Sequence, residues 1–219
     1  MKMANDSSDF RRQRSIGQRL ALVAFAVGIV LWLGIYFLMP PLSGMADPLA
    51  RLIFALKCSC VAILFCFLTG IEAVAHERLV SPAFDPLKGH ETRRMKVNLR
   101  YLQNTLEQTI LFVPGLLVLA LYCPDGASMR AVVATTAVWI LSRGGFWIGY
   151  HYGAAYRTAG VPGVLLTLLL LLYVCARFGY EVAGIAGAVA VVAAYVIIEI
   201  YLFRSAGSTA PAERPDSSS

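Results

Sequence analysis

Six apolar stretches near membrane-spanning length follow one another, at about 20–38, 52–74, 103–122, from Arg130 toward His151, 161–176 and 182–203. No long polar segment separates them. Crossing a bilayer takes about 20 residues rising about 1.5 Å each, and inside hydrocarbon a helix satisfies its own backbone hydrogen bonds. The expectation is an all-α integral membrane bundle of about six spans with no soluble domain. Composition agrees, with 58% hydrophobic and 15% charged residues and a mean hydropathy of +0.66.

The net charge of +6 points to cytoplasmic loop ends rather than to nucleic acid, because Lys and Arg collect on that side of membrane proteins. Arg11, Arg12, Arg14 and Arg19 make residues 1–19 a basic leader, expected to be disordered and held near anionic headgroups. Gly44-Met45-Ala46 weakly resembles a signal cleavage site, but the apolar segment before it is too long for a signal peptide. The most basic loop carries Lys88, His90, Arg93, Arg94 and Lys96 after the second span, which places it in the cytoplasm. Pro114 removes one backbone hydrogen bond from the third span and is expected to kink it. Cys123-Pro-Asp-Gly-Ala is so short a turn that the third and fourth helices must be antiparallel neighbours. Gly184 and Gly187 among alanines suit close helix packing in the last span, and 205–219 reads as a disordered tail. An even number of spans returns both termini to the cytoplasm.

One stretch breaks the apolar monotony. The third span must begin near Gln103 to reach spanning length, which puts Asn104 at the hydrocarbon boundary and Glu107 about one turn inside it. Arg100, Asn104 and Glu107 are spaced i, i+4, i+7 and share one helical face. Arg143, Tyr150 and Arg157, at i, i+7, i+14, share a face on a continuous fourth helix. Counted from the outer turn, Glu107 lies about 24 Å down its helix and Arg143 about 20 Å down its own. Asn104 and Tyr150 fall at about 28 and 30 Å. Matched depth suggests a Glu107–Arg143 pair, either as helix glue or as one wall of a site. The whole surface, three cations, a carboxylate, an amide and a phenol, suits a small anionic hydrogen-bonding ligand.

Other polar residues carry less. His76, His90 and His151 lack metal-ligand spacing, so no metal site is expected. The five cysteines form neither a disulfide framework nor a metal set. Trp32, Trp139 and Trp147 read as lipid-facing or belt residues.

The run Arg100-x-x-x-Asn104-x-x-Glu107, followed by Arg143, Tyr150 and Arg157, resembles the MAPEG family, the membrane-associated proteins of eicosanoid and glutathione metabolism. The runs 102–108 and 149–157 look especially like its bacterial members. The resemblance covers about 51–176. It implies a four-helix core at 51–178 with an extra transmembrane helix on each side, at 20–50 and 179–204. It further implies a homotrimer in a bacterial inner membrane, with glutathione held as co-substrate between adjacent subunits near the cytoplasmic face. Arg100, Asn104, Glu107 and Arg143 would bind the tripeptide, while Tyr150 and Arg157 would serve the thiol chemistry. The activity implied is a glutathione-dependent transferase or peroxidase acting on lipophilic electrophiles. The alternative is a non-catalytic trimeric scaffold or lipid-binding protein. Phe146 stands where family synthases carry a polar Tyr or His, Gln108 where the leukotriene synthase has Tyr, and Arg78 is the candidate for the basic residue of the first family helix. A transporter is a third reading, weakened by the lack of an inverted repeat.

Overall fold

The computed structural model describes residues 2–208, with side chains from residue 10 to residue 206. It is all-α, with no strand among the described residues. The helices are α1 (Lys2–Leu38), α2 (Pro48–Ala62), α3 (Thr69–Val80), α4 (Arg93–Tyr122), α5 (Arg130–Tyr152) and α6 (Val161–Ser208). A π-helical turn, Ile63–Leu68, joins α2 to α3 without interruption. Five rods are long and apolar enough to cross a membrane: Phe10–Leu38, Pro48–Val80, Arg93–Tyr122, Arg130–Tyr152 and Tyr156–Ala206. The protein is an integral membrane protein.

Local chemistry sets the helix ends. Asp47 accepts a hydrogen bond from the Leu49 amide ahead of Pro48, and Thr92 accepts one from the Met95 amide at 3.0 Å, each covering an otherwise orphaned N–H of a first turn. In the turn before α5, Ser128 donates to the Asp125 carboxylate through its amide at 2.8 Å and its hydroxyl at 2.9 Å, which holds that carboxyl below its usual range. The same end is tied by Leu42 N–H to the Gly126 carbonyl (3.0 Å), Arg130 to the Met39 carbonyl (3.0 Å) and Arg51 to the Cys123 carbonyl.

The chain divides at Leu171 into two compact units. In the first, α1 lies along α5: Trp32 Nε1 donates to Thr135 Oγ1 at 3.1 Å, Arg130 covers the Tyr36 ring, and Gly17 meets Thr158 at the far end. The centre is aromatic, with Trp139 fully buried and stacked on Phe112 at 4.5 Å. Residues 2–19 are helical and continuous with the rest of α1. Two expectations change here. Trp139 is core, and Trp32 and Trp147 spend their N–H groups on Thr135 and on Asn98, so none of the three is simply a lipid-facing residue. The fourth helix does not continue to Arg157: it ends at Tyr152, at an extended Gly153, and a 3-10 turn, Tyr156–Gly160, follows.

The second unit is the far part of α6. Its helix is interrupted at Ala183 and Gly184, and Gly184 has a φ of +60°, the left-handed region that glycine tolerates best. On a continuous helix Gly179 and Gly187 would stand about 12 Å apart. Instead a Cβ on Gly187 would meet the Gly179 carbonyl oxygen at 2.0 Å. The chain folds back there, and the absence of side chains lets the two limbs touch through their backbones. The tail expected to be disordered begins inside α6, and 209–219 lie outside the described residues.

Candidate functional site

The site forms where α4, α5 and the 3-10 turn meet. One cavity of about 590 Å³ is lined by Arg100, Gln103, Asn104, Glu107, Phe146, Tyr150, Arg157 and Thr158, together with Gly160, Val161 and Val164. Five of the six residues singled out from sequence share it. Helical spacing explains the α4 set, since 100, 103, 104 and 107 fall on one face. Gln103, not singled out, links the charged ends: it accepts from Arg100 Nη1 and donates to Glu107 Oε1, both at 3.3 Å.

Arg157 arrives by a different route. On a continuous helix it would stand about 10 Å beyond Tyr150 along the axis. The break at Gly153 folds the chain back over the last turns of α5, so the Arg157 guanidinium carbon lies 5.8 Å from the Tyr150 ring centroid. Glycines make this possible. A Cβ at Gly149 would meet the Tyr156 carbonyl oxygen at 2.2 Å, and one at Gly160 would meet the Phe146 Cβ at 2.4 Å.

Arg143 does not line the cavity. It is fully buried behind Phe146, its guanidinium carbon 4.7 Å from that ring and 5.6 Å from the ring of Tyr101. The expected Glu107–Arg143 pair is not formed. Nη2 of Arg143 donates instead to Asn104 Oδ1 at 2.9 Å and to Thr105 Oγ1 at 3.0 Å, while Nε and Nη1 have no hydrogen-bond partner. Two aromatic faces stand where a carboxylate would. This arrangement fixes a chemical property of the cavity. A guanidinium only donates, so the Asn104 atom against it must be the oxygen, and the amide NH₂ is the end left for the cavity. Asn104 therefore offers a donor to whatever binds.

A second polar cluster went unnoticed in the sequence. Glu77, 9% exposed, accepts from Thr92 and from Asn98 Nδ2 at 3.2 Å and lies 3.7 Å from Arg94. Asn98 Oδ1 in turn accepts from Trp147 Nε1 at 2.9 Å and faces His151 Nε2 at 3.1 Å. The network joins α3, α4 and α5. A signal was present: Met95, Asn98, Tyr101 and Thr105 follow helical spacing, so two polar residues sit on the face of α4 that packs inward. Arg78 is not among the residues lining the cavity.

The MAPEG family model matches residues 52–177, more than half of the chain. The chain belongs to the MAPEG family. Among curated proteins it is similar to Transmembrane protein 79 of Bos taurus, 29% identical over 123 residues, which is 56% of this chain and 30% of that protein. The match thus spans less than a third of that relative's length. No solved structure matches the chain. The matched segment takes in α3, α4, α5 and every residue lining the cavity. It leaves out α1 and the second limb of α6.

Proposed function

We propose that this MAPEG protein binds glutathione in the cavity between α4, α5 and the 3-10 turn, and acts as a transferase or peroxidase on lipophilic electrophiles. The observation that carries the reading is the gathering of Arg100, Asn104, Glu107, Tyr150 and Arg157 around one space. Its volume falls within the range of small-molecule sites, about 300–1,000 Å³. The charges complement the tripeptide. Arg100 suits a carboxylate, Glu107 suits the ammonium, and the Asn104 amide donates to a carbonyl or carboxylate oxygen. Arg157 and the Tyr150 hydroxyl supply positive charge and a donor for the thiolate, which lowers the thiol pKa in proportion to how much better they hold the anion. Phe146, Val161 and Val164 give the cavity an apolar wall, suited to an electrophile arriving from the bilayer.

In transfer, the thiolate sulfur forms a bond to an electrophilic carbon and the leaving group departs with its electron pair. In peroxide reduction, sulfur attacks one oxygen and the O–O bond breaks. The product is an alcohol and a sulfenic acid, which a second glutathione converts to disulfide and water. The protein contributes position and charge rather than a covalent bond.

The assembly proposed is a homotrimer in a bacterial inner membrane. Six crossings, counting the fold-back at Ala183 and Gly184 as a reversal between two spans, put both termini, 75–97 and 151–160 in the cytoplasm, as their Lys and Arg content favours. Reporter fusions should find residue 126 outside and the C-terminus inside; an external C-terminus removes the sixth span. The non-catalytic scaffold reading draws on Phe146, an apolar residue on the cavity wall. Calorimetry with glutathione on protein of measured mass separates the two. Wild type should bind as a trimer, Glu107→Gln should bind weaker by about 1–3 kcal/mol for a lost charged hydrogen bond, and Arg157→Ala should lose turnover more than affinity. A trimer that takes up no glutathione belongs to the scaffold reading.

A further inference from the structure

We infer that α1, which lies outside the matched family residues, is a working part of the cavity, and that Gly17 clamps the turn carrying Arg157. The inference rests on the glutathione reading above and adds a positioning residue to it. Along α1, from residue 10 to residue 38, Gly17 is the one buried residue among those described; the rest are exposed or half-buried. The contact that buries it is with the cavity wall. Thr158 Oγ1 donates to the Gly17 carbonyl at 2.9 Å and lies 2.8 Å from the Ala155 carbonyl, and Thr158 itself lines the cavity. A Cβ on Gly17 would already be in van der Waals contact with Thr158 Cγ2 at 3.4 Å and the Ala155 oxygen at 3.5 Å, so a methyl fits while a branched side chain such as leucine extends from a point already touching the turn. Eleven residues on, Gly28 sits against Pro162 in the same way, with 3.2 Å from its Cβ position to the Pro162 Cβ.

The segment so held follows the break at Gly153 as one short 3-10 turn, entered through Tyr156 N–H to the Gly153 carbonyl (3.1 Å) and Thr158 N–H to the Ala155 carbonyl (3.4 Å) and left through Val161 N–H to the Thr158 carbonyl. Glycines of α5 permit its approach from one side, and α1 closes the other. Arg157 itself is exposed and stacked only on Tyr150. Its position over the thiol site therefore depends on where the backbone of 155–160 lies, and Gly17 is the contact from α1 that sets it.

The test uses the full chain in lipid nanodiscs. The variants are Gly17→Leu, Thr158→Val, Thr158→Ser and, as control on the same helix, Gly34→Leu, whose added side chain starts in open space. Four quantities are read: glutathione affinity, the pH at which bound glutathione becomes thiolate by ultraviolet absorbance, kcat with 1-chloro-2,4-dinitrobenzene, and amide exchange in 155–160. Gly17→Leu should keep its affinity, form thiolate at higher pH, lose kcat by roughly ten- to a hundredfold, as misplacement by about 1 Å does, and regain part of it as pH rises. Thr158→Val should behave likewise, Thr158→Ser should retain function, and Gly34→Leu should match wild type. A folded Gly17→Leu with a wild-type thiolate profile overturns the clamp. If Gly17→Leu does not fold, Thr158→Val and Thr158→Ser behaving alike overturns it. If wild type binds no glutathione, the functional reading fails while the clamp is still judged: exchange in 155–160 must be faster in Gly17→Leu or Thr158→Val, and equal rates overturn it.

Discussion

Gly149→Ala should abolish most turnover while leaving a folded protein. The added methyl would sit 2.2 Å from the Tyr156 carbonyl oxygen and 3.3 Å from the Arg157 nitrogen, so the backbone of the 3-10 turn must retreat by about 1 Å to restore ordinary contact. A displacement of that size at a reacting group costs on the order of a hundredfold in rate. Stability should fall by less, because overpacking costs about 1–3 kcal/mol and replacing a helical glycine by alanine returns about 0.5–1 kcal/mol. Gly144→Ala is the matched comparison, one turn earlier on α5 with nothing within 4 Å of its Cβ position. Steady-state rates with 1-chloro-2,4-dinitrobenzene and thermal unfolding of both variants check this. Comparable kcat for the two would mean that the fold-back over Gly149 does not set the position of Arg157.

Apolar runs, turn residues and the i, i+4, i+7 stripe on α4 were legible without coordinates, because each depends on spacing along one helix. Relations between helices were not. Depth counting puts Glu107 and Arg143 nearly level, but depth says nothing of direction around the axis. Glu107 points into the cavity toward Gln103, whereas Arg143 points inward to Asn104 and Thr105. Arg157 lines the same cavity as Tyr150, but not by the route that helical counting supposes. The i, i+14 count assumes a continuous helix, while the chain reaches the same neighbourhood by breaking at Gly153 and doubling back. The Glu77 and Asn98 network escaped because hydropathy assigns both residues to a basic loop. Only the inward face of α4, extended one turn before the apolar run, reveals Asn98 as buried.

Arg143→Met is expected to weaken ligand binding as well as stability. Removing a buried charge that has no carboxylate partner relieves a desolvation cost, and apolar replacement of buried charged groups is often neutral or stabilising by about 1–4 kcal/mol. Against this stand two hydrogen bonds, worth about 1.5–3 kcal/mol each when one group is charged, and ring-face contacts of about 0.5–2 kcal/mol. Nε and Nη1 have no hydrogen-bond partner to lose. The hydrogen bonds and ring contacts outweigh the relieved desolvation, so the unfolding temperature should fall, with the relief offsetting part of the loss. Glutathione binding has no such compensation. Without a guanidinium against Oδ1, the Asn104 amide is free to turn, and its NH₂ is no longer held as a donor toward the cavity. Affinity should fall by about 1–3 kcal/mol, roughly five- to a hundredfold at about 1.4 kcal/mol per factor of ten. Asn104→Asp gives the complementary result. A carboxylate still accepts from Arg143 but presents no N–H to the ligand, so it should bind glutathione as weakly as Arg143→Met while gaining stability from the new ion pair. Wild-type affinity in Asn104→Asp would show that Asn104 does not donate to the ligand, and that Arg143 serves only the packing of α4 against α5.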